Sequence, residues 1–274
     1  MLICLPGMPA AWAQDASDWD GQAHTAARLI AGSIIKTADA AFLRAGVEIR
    51  LDPGWKTYWR DPGDSGVPPT LDFSGSENVK SVTVEWPAPE RFPDGAGGSS
   101  IGYLDHVVLP LRVAPKDAAK PSSLQLKLGY AICGNLCVPV EANLKLALTG
   151  DGAKETALER AEIRVPRRVA LGNGRGSDGK GLAILAVRRE PGDAHEHVVV
   201  DVAAPAGAPV DLFVEGPTPE WSLPLPQPTG GHGATRQFTF DLDGLPADAK
   251  PAGATLTFTA VSADDAIEVP AHLD

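Results

Sequence analysis

The chain has 274 residues, with 25 prolines, 29 glycines and a formal net charge of −11. This length allows two domains of ordinary size or one large β domain, and the many prolines and glycines favour turns and short strands over long helices. The acidic charge balance argues against nucleic-acid binding, because contact with phosphates requires a basic surface, and against attraction to an acidic membrane surface.

The amino terminus has the pattern of an export signal. The apolar run MLICLPGMPAAWA ends in the small-x-small sequence AWA, although the usual basic residues are missing, so the signal is truncated or begins upstream. We therefore expect residues 1–20 to be a signal-like segment and the protein to be periplasmic. Cys4 would leave with this segment, and the mature chain would keep Cys133 and Cys137. No later stretch has the roughly 18 apolar residues of a membrane helix, so the chain itself is not expected to span a membrane.

Residues 21–150 alternate apolar and polar side chains in the manner of short β-strands. The segments with this period of two are AARLIAGSII, AFLRAGVEIRL, SVTVEW, HVVLPLRV, SSLQLKLGYAI and VEANLKLAL. A turn-rich stretch, DPGWKTYWRDPGDSGVPPT, carries Trp55, Tyr58 and Trp59, and aromatic residues at this density usually cover one edge of a core. About seven short strands over this length predict an antiparallel β-sandwich.

Residues 151–180 change in character and predict a connection between two units. AKETALERAEIRV favours a short helix, and GNGRGSDGKG is typical of a flexible linker without an apolar period. From residue 181 to residue 274 the strand pattern returns, from LAILAVRRE to AIEVPAHL. The predicted fold class is therefore all-β, with two antiparallel β-sandwich units joined by a linker that holds a short helix.

Cys133 and Cys137 stand at the two strand ends of a predicted hairpin, GYAICGNLCVPVEA. Residues that flank a three-residue loop face each other, and opposed Cα atoms about 4.5 to 5.5 Å apart fit the range of about 4.4 to 6.8 Å that a disulfide accepts. Gly134 and Asn135 tolerate the backbone of a tight loop, whereas Leu136 is less suited to its last position. A disulfide at the hairpin tip is therefore feasible.

Three roles for this cysteine pair remain open on the residues alone. A structural staple gains little, because closing so short a loop contributes only about 2 kcal/mol, against about 4.7 kcal/mol for a loop of about 100 residues. A metal clip for Cu(I) or Zn lacks further ligands within the motif, and His195 and His197 in the second unit are typical of solvated strand surface. A redox dithiol fits an exposed hairpin tip, where an incoming thiolate reaches one sulfur.

Three motifs in order along the chain resemble one protein family. GWKTYWRDPGDSGVPP, then WPAPERFPDG…IGYLDHVVLPLRV, then YAICGNLCVPVEA are together similar to the amino-terminal periplasmic domain of the DsbD/ScsB thiol:disulfide interchange proteins. The resemblance covers roughly residues 25–150, and the second β unit is similar to the ScsB-like branch, whose amino-terminal region holds two immunoglobulin-like units. It implies that both sandwiches of this chain are immunoglobulin-like.

The resemblance also implies a redox function for Cys133 and Cys137, the positions that match the family's cysteine pair. Such a pair accepts electrons from a membrane-embedded DsbD/ScsB-like donor and passes them to periplasmic thioredoxin-fold oxidoreductases through a mixed disulfide. The family pattern assigns the intermolecular bond to Cys137. No cofactor and no bound metal are expected, and the activity is that of a protein-disulfide reductase component.

Family members cover the cysteines with a cap loop that carries an aromatic residue. The corresponding segment is PERFPDGAGG, in which Phe92 matches the aromatic residue, and Tyr103 and Tyr130 are expected either to line the site or to be ordinary core aromatics. Two features depart from the family. The C-x-x-x-C spacing is shorter than in the enterobacterial DsbD pattern. The chain also ends at Asp274 without membrane spans or a thioredoxin-like domain, as expected of a stand-alone version or a piece of a larger protein.

The competing interpretation is a non-catalytic periplasmic binding or copper-handling module, in which the disulfide is a minor structural staple. Capture of a thioredoxin-fold protein by a single-cysteine variant separates the two interpretations, because only a redox-active pair forms mixed disulfides with partners.

Overall fold

The computed structural model describes residues 15–36, 41–94, 97–149, 152, 155–174, 181–192, 195–231, 234–263 and 265–274. Residues 1–14, and with them most of the predicted signal-like segment, lie outside this description. Within the described ranges, no helix is both long enough and apolar enough to cross a membrane.

The first unit is a sandwich of two antiparallel sheets. Its strands are β1 (Asp20–Gln22), β2 (Thr25–Lys36), β3 (Ala41–Leu51), β4 (Lys56–Gly63), β5 (Thr70–Asp72), β6 (Val79–Val84), β7 (Glu90–Pro93), β8 (Ser99–Leu104), β9 (His106–Pro115), β10 (Ser122–Cys133) and β11 (Cys137–Leu148). One sheet has the order β1-β2-β3-β9-β6. The other has the order β11-β10-β4-β8-β7, with β5 paired to β10.

The two sheets enclose one hydrophobic core, and β10 and β11 show how it is built. Both strands alternate buried and exposed residues, because one face packs on the core and the other faces solvent. Leu124, Leu126 and Leu128 point inward and share the core with Val47 and Leu109 of the facing sheet. The alternation stops at the last four residues of β10, which are all buried, so the outer face of the sheet is also covered there.

A single helix in the described part of the chain follows the first sandwich. This helix, α1 (Glu155–Ile163), lies within the segment that predicts one. Leu158 and Ala161 pack on Ile30 and Val108, which lie on the outer face of the five-stranded sheet. α1 therefore covers that sheet from outside.

The second unit is also a sandwich of two sheets. Its strands are β12 (Arg167–Arg168), β13 (Ala183–Glu190), β14 (His197–Ala203), β15 (Asp211–Glu215), β16 (Gln227–Gly230), β17 (Thr235–Asp241), β18 (Thr255–Ser262) and β19 (Asp265–His272). One sheet has the order β12-β19-β18-β15 and the other the order β13-β14-β17-β16. Phe238, Phe240 and Phe258 lie in the core between them.

The predicted fold class is confirmed: the chain is all-β, with two immunoglobulin-like sandwiches and a short helix between them. One detail differs from the expectation. β12 lies within the stretch that predicts a connection, yet it already pairs with β19 in parallel, because the chain joins the second sandwich before the glycine-rich segment. Residues 175–180 of that segment lie outside the described residues, and the predicted domain boundaries stay predictions.

Residues of β4 connect the two units. The rings of Trp59 and Phe213 lie 5.9 Å apart between centroids, and both are buried in the core of the first unit. The next residue, Arg60, donates hydrogen bonds to the carboxylates of Glu215 and Glu268 at 2.7 to 2.8 Å. Burial alone would lower the pKa of Arg60, but the bonds to Glu215 and Glu268 outweigh it and raise the pKa, so the guanidinium stays charged.

A second arginine strengthens the same interface. Arg91 of β7 donates to both carboxylate oxygens of Asp211, at 2.7 and 3.1 Å, and to the carbonyl oxygens of Leu212 and Pro226. Its guanidinium also lies 5.7 Å from the centroid of the Phe213 ring. Arg91 is half-buried and makes a bidentate contact with Asp211. Because such a contact has a fixed geometry, it orients the two sandwiches as well as joining them.

Replacing Arg60 by methionine is expected to lower the free energy of unfolding by about 2 kcal/mol, because two largely buried carboxylates lose their counter-charge. Arg188→Met is a matched control, since Arg188 pairs with Asp201 on the surface and its side chain is 42% exposed. The control should cost no more than about 0.5 kcal/mol. Urea denaturation followed by tryptophan fluorescence measures both, and equal losses would contradict a structural role of Arg60 at the interface.

Candidate functional site

The cysteines close the hairpin of β10 and β11. The register of the two strands is unbroken as far as the pair Cys133 opposite Cys137, which form a disulfide with Cα atoms 4.2 Å apart. Inside the loop of residues 134–136, the amide of Gly134 donates a hydrogen bond to the carbonyl of Leu136 at 3.2 Å. The predicted hairpin with a cysteine at each strand end is confirmed.

The two cysteines differ in how accessible they are. Cys133 is 2% exposed and is buried with Tyr58 and Ala131 in a small cluster. Cys137 is exposed, and Leu136 beside it is 71% exposed. Since thiol–disulfide exchange requires a thiolate to reach a sulfur atom, an incoming thiol has access to Cys137 and little access to Cys133.

Tyr58 of β4 places its hydroxyl against both sulfur atoms, 2.7 Å from Cys133 Sγ and 3.3 Å from Cys137 Sγ. β4 is held beside β10 by the neighbouring Thr57, whose hydroxyl donates to the carbonyl of Ala131 at 2.9 Å. Burial raises the pKa of Tyr58, so its hydroxyl is protonated at neutral pH. The tyrosine is therefore a hydrogen-bond donor for a negative charge that forms on either sulfur.

The loop between the cysteines rests on Trp55. A Cβ atom at Gly134 would lie 3.0 Å from Cε2 of the Trp55 ring, so the ring and the loop backbone are in direct contact and a larger residue would crowd it. The imidazole of His24 stacks on Trp55 with centroids 4.2 Å apart, and its Nδ1 lies 2.8 Å from Oδ2 of Asp52. The stacked pair of Trp55 and His24 therefore supports the loop of residues 134–136.

Tyr103 and Tyr130 lie in the hydrophobic core between the two sheets. The hydroxyl of Tyr103 donates to the carbonyl of Pro87 at 2.8 Å, and that of Tyr130 lies 2.9 Å from Oγ1 of Thr25 on the facing sheet. Both rings are on the core face of their sheet, whereas Cys133 belongs to a cluster on the outer face. These contacts match the core role expected for the two tyrosines, and a role in lining the sulfur site stays a prediction without a supporting contact.

Phe92 lies on β7, which is separated from β10 by the strands β4 and β8. Lys56 contacts this strand, with its Nζ 5.5 Å from the centroid of the Phe92 ring and 3.5 Å from the carbonyl oxygen of Pro93. Lys56 is in turn opposite Cys133 in the pairing of β4 with β10. Phe92 therefore contacts the residue that is opposite Cys133 in the sheet, and no direct contact joins Phe92 to the cysteines among the contacts of the described residues. Residues 95–96 of the predicted cap lie outside the described residues, and the cap role of Phe92 stays a prediction.

Tyr58 and Lys56 are side chains at the cysteines that sequence reasoning does not single out as site residues. The sequence predicts Tyr58 only as an aromatic cover of the core, and it makes no prediction for Lys56. Tyr58 and Cys133 are 75 residues apart, and the pairing of non-consecutive strands that brings them together leaves no local pattern. The available signal was the motif GWKTYWRDPG, which belongs to the family resemblance and carries both residues.

Possible metal ligands are scattered in the described part of the chain. No group of three or more histidine, cysteine or acidic residues there is arranged to hold a metal ion. His195 and His197, the pair in the second unit, lie towards the surface, and Nδ1 of His197 contacts Oδ1 of Asp241.

Comparison with known proteins relates this fold and site to a family. Residues 31–149 match the family described as thiol:disulfide interchange protein DsbD, N-terminal. The crystal structure of the N-terminal periplasmic domain of ScsB from Proteus mirabilis is similar with a TM-score of 0.72 and 24% sequence identity, over 95% of this chain and 99% of that one. None of the curated proteins matches the sequence.

The first β-sandwich, with a cysteine pair at its hairpin tip, is similar to a domain of the thiol:disulfide interchange proteins. More particularly, residues 31–149 are similar to the amino-terminal domain of DsbD, and the matched range includes Lys56, Tyr58 and both cysteines. The chain as a whole is similar in fold to the N-terminal periplasmic domain of ScsB. The predicted resemblance is thus confirmed.

Replacing Tyr58 by phenylalanine is expected to slow reduction of the Cys133–Cys137 disulfide about three- to tenfold, because the leaving thiolate loses a hydrogen-bond donor. The measurement is the second-order rate constant for reduction by dithiothreitol at pH 7, with acid quenching and alkylation of the released thiols.

Tyr130→Phe is the matched control for this variant, because it removes a hydroxyl from the core face of the same sheet. It should lower the free energy of unfolding by about 1 kcal/mol and leave the reduction rate unchanged. A Tyr58→Phe protein reduced as fast as the wild type would show that the hydroxyl does not act on the sulfurs.

Proposed function

We propose that this protein carries out thiol–disulfide exchange in the periplasm through Cys133 and Cys137. It receives electrons from a membrane-embedded donor of the DsbD/ScsB type and passes them to periplasmic thioredoxin-fold proteins. The observation that carries the proposal is the disulfide at the hairpin tip, with Cys137 exposed, Cys133 buried and the Tyr58 hydroxyl against both sulfurs. The family match over residues 31–149 supports the same chemistry.

The periplasmic location is part of this proposal and has three supports. The chain begins with a signal-like apolar run, and the ScsB domain that shares its fold is a periplasmic one. The cysteine pair forms a disulfide in this structure, which also suits an oxidising compartment. In such a compartment an isolated cysteine pair is expected to be oxidised unless a donor reduces it.

In the loading reaction, a donor thiolate attacks the accessible sulfur of Cys137. A disulfide forms between the donor and Cys137 while the Cys133–Cys137 bond breaks, and the electron pair of that bond leaves with Cys133 as a thiolate. The second thiolate of the donor then attacks the donor's own sulfur in the mixed disulfide. This step releases the donor as a disulfide and Cys137 as a thiolate, so the pair has gained two electrons.

In the delivery reaction, the Cys137 thiolate attacks the disulfide of an oxidised thioredoxin-fold partner and displaces one partner thiolate. Cys133 then attacks Cys137 Sγ, reforms the intramolecular disulfide and releases the partner as a dithiol. Cys133 is already opposite Cys137 in the ladder, so resolution of the mixed disulfide requires only rotation of side chains.

Tyr58 assists both the loading and the delivery reaction, because Cys133 is a thiolate when it leaves in the first and when it attacks in the second. Its hydroxyl is nearer to Cys133 than to Cys137, at 2.7 against 3.3 Å. A neutral donor stabilises a thiolate by a charge-assisted hydrogen bond and adds no charge of its own when the disulfide is present.

Trapping of a mixed disulfide tests the function. Cys133→Ser removes the resolving sulfur and leaves the exposed Cys137, so this variant should accumulate a disulfide-linked complex with a thioredoxin-fold protein in a periplasmic extract. Cys137→Ser retains only the buried Cys133 and is the matched control, with a yield expected to be at least about tenfold lower. Non-reducing electrophoresis with mass spectrometry of the shifted band identifies the partner.

Two results would contradict the proposal. Capture by neither variant, together with a wild-type disulfide that no thioredoxin-fold dithiol reduces, favours a non-catalytic module with a structural disulfide. Stoichiometric Cu(I) binding by the reduced wild-type protein, lost in both variants and without any capture, favours copper handling.

A further inference from the structure

The pairing of β4 with β10 puts a lysine directly beside the buried cysteine. Cys133 is opposite Lys56 in this antiparallel register, and opposed residues have their side chains on the same face with Cβ atoms about 4.5 to 5.5 Å apart. The position of Tyr58, two residues along β4, supports this assignment of faces, because its hydroxyl contacts Cys133 Sγ.

In the disulfide state the ammonium group of Lys56 is directed to β7. Its Nζ lies 3.5 Å from the carbonyl oxygen of Pro93 and 5.5 Å from the centroid of the Phe92 ring. Both are weak contacts, a long hydrogen bond and a cation–π contact at a half-exposed site. The flexible side chain of Lys56 can bring its ammonium group to Cys133 Sγ by rotation of its own torsions. A thiolate on Cys133 would therefore compete with Phe92 and Pro93 for this ammonium group.

Other charged or titratable groups lie on the elements around Cys133. They include Tyr58 on β4, Cys137 and Glu141 on β11, Glu90 on β7, the His24–Asp52 pair at Trp55, and the aspartates that follow β4, β7 and β8, which are Asp64, Asp94 and Asp105. Glu141 is four residues beyond Cys137, or about 13 Å along the strand.

The three aspartates are engaged with backbone amides, Asp94 within its own loop and the other two in neighbouring segments. Their carboxylates accept hydrogen bonds from the amides of Ser99, Gly98 and Gly54 respectively, at 2.7 to 3.0 Å. Lys56 is therefore the cation that the strand register places beside Cys133 on this face of the sheet.

We propose that Lys56 stabilises the Cys133 thiolate that leaves when a dithiol donor attacks Cys137, and that it thereby accelerates exchange. This rests on the function proposed above, since the thiolate is released in the loading reaction. The donor thiolate forms a bond to Cys137 Sγ, the Cys133–Cys137 bond breaks, and the electron pair goes to Cys133 Sγ beside the lysine ammonium. The lysine keeps its protons throughout and supplies only charge.

Titration of the single thiol in a Cys137→Ser background tests the charge effect without any partner. With Lys56→Met in this background, the measured pKa of Cys133 should rise by about 0.5 to 1 unit, as expected for loss of one cation at the edge of a protein. Thiolate absorbance at 240 nm follows the titration. Lys56→Gln should give the same shift, and Lys56→Arg, which keeps the charge, should restore the wild-type value.

Two controls separate this effect from a general structural change. Lys127→Met removes an exposed lysine from the same strand as Cys133 and should leave the titration unchanged. In a Cys133→Ser background, Lys56→Met should shift Cys137 by less than half as much, because Cys137 is one strand farther from Lys56. With both cysteines present, Lys56→Met should slow reduction by dithiothreitol about threefold, since a less acidic thiol is a poorer leaving group.

The outcomes distinguish this inference from the proposed function. An unchanged Cys133 titration in Lys56→Met, with normal mixed-disulfide capture, would overturn the inference alone. A shifted titration without any capture of a thioredoxin-fold partner would overturn the proposed function, and Lys56 would then have no reaction to accelerate.

Discussion

The alternation of side chains along β4 determines how the sulfur site is built. Successive side chains of a strand point to opposite faces, so Lys56 and Tyr58 face the cysteines while Thr57 and Trp59 face the core. Trp59 contacts Phe213 of the second unit, so the residues that fix β4 in place are not all in the unit that carries the cysteines. The hydroxyl of Tyr58 is consequently held at the sulfurs by packing on the reverse side of its own strand.

The site combines two kinds of asymmetry. Cys137 is exposed whereas Cys133 is buried, and the strand register gives Cys133 a tyrosine donor and a lysine on the neighbouring strand. In the proposed exchange, the sulfur that carries the transient charge is thus the one with stabilising neighbours, while the sulfur that forms the intermolecular bond has open space. Both asymmetries arise from the hairpin, because the end of β10 lies against β4 and the start of β11 is an edge.

Much of the fold follows from the sequence because its causes are local. Period-two alternation in segments such as SSLQLKLGYAI gives strands, and three residues between two cysteines give a hairpin tip. The placement of Tyr130 also follows from that rule: it is three residues before Cys133, an odd separation, and therefore on the opposite face. The neighbours of the sulfurs depend instead on how β4 pairs with β10 across about 75 residues of chain, and no local pattern specifies that register.

The core of the first sandwich includes Phe213 and Leu225, which belong to the second. A shared core constrains how the two sandwiches evolve. Recombination that exchanged one sandwich for an unrelated domain would leave an apolar seam beside Trp59 and two carboxylates without their arginine. The two sandwiches are therefore expected to be inherited as one block, with substitutions at the seam compensated in pairs, although only one of them carries the cysteines.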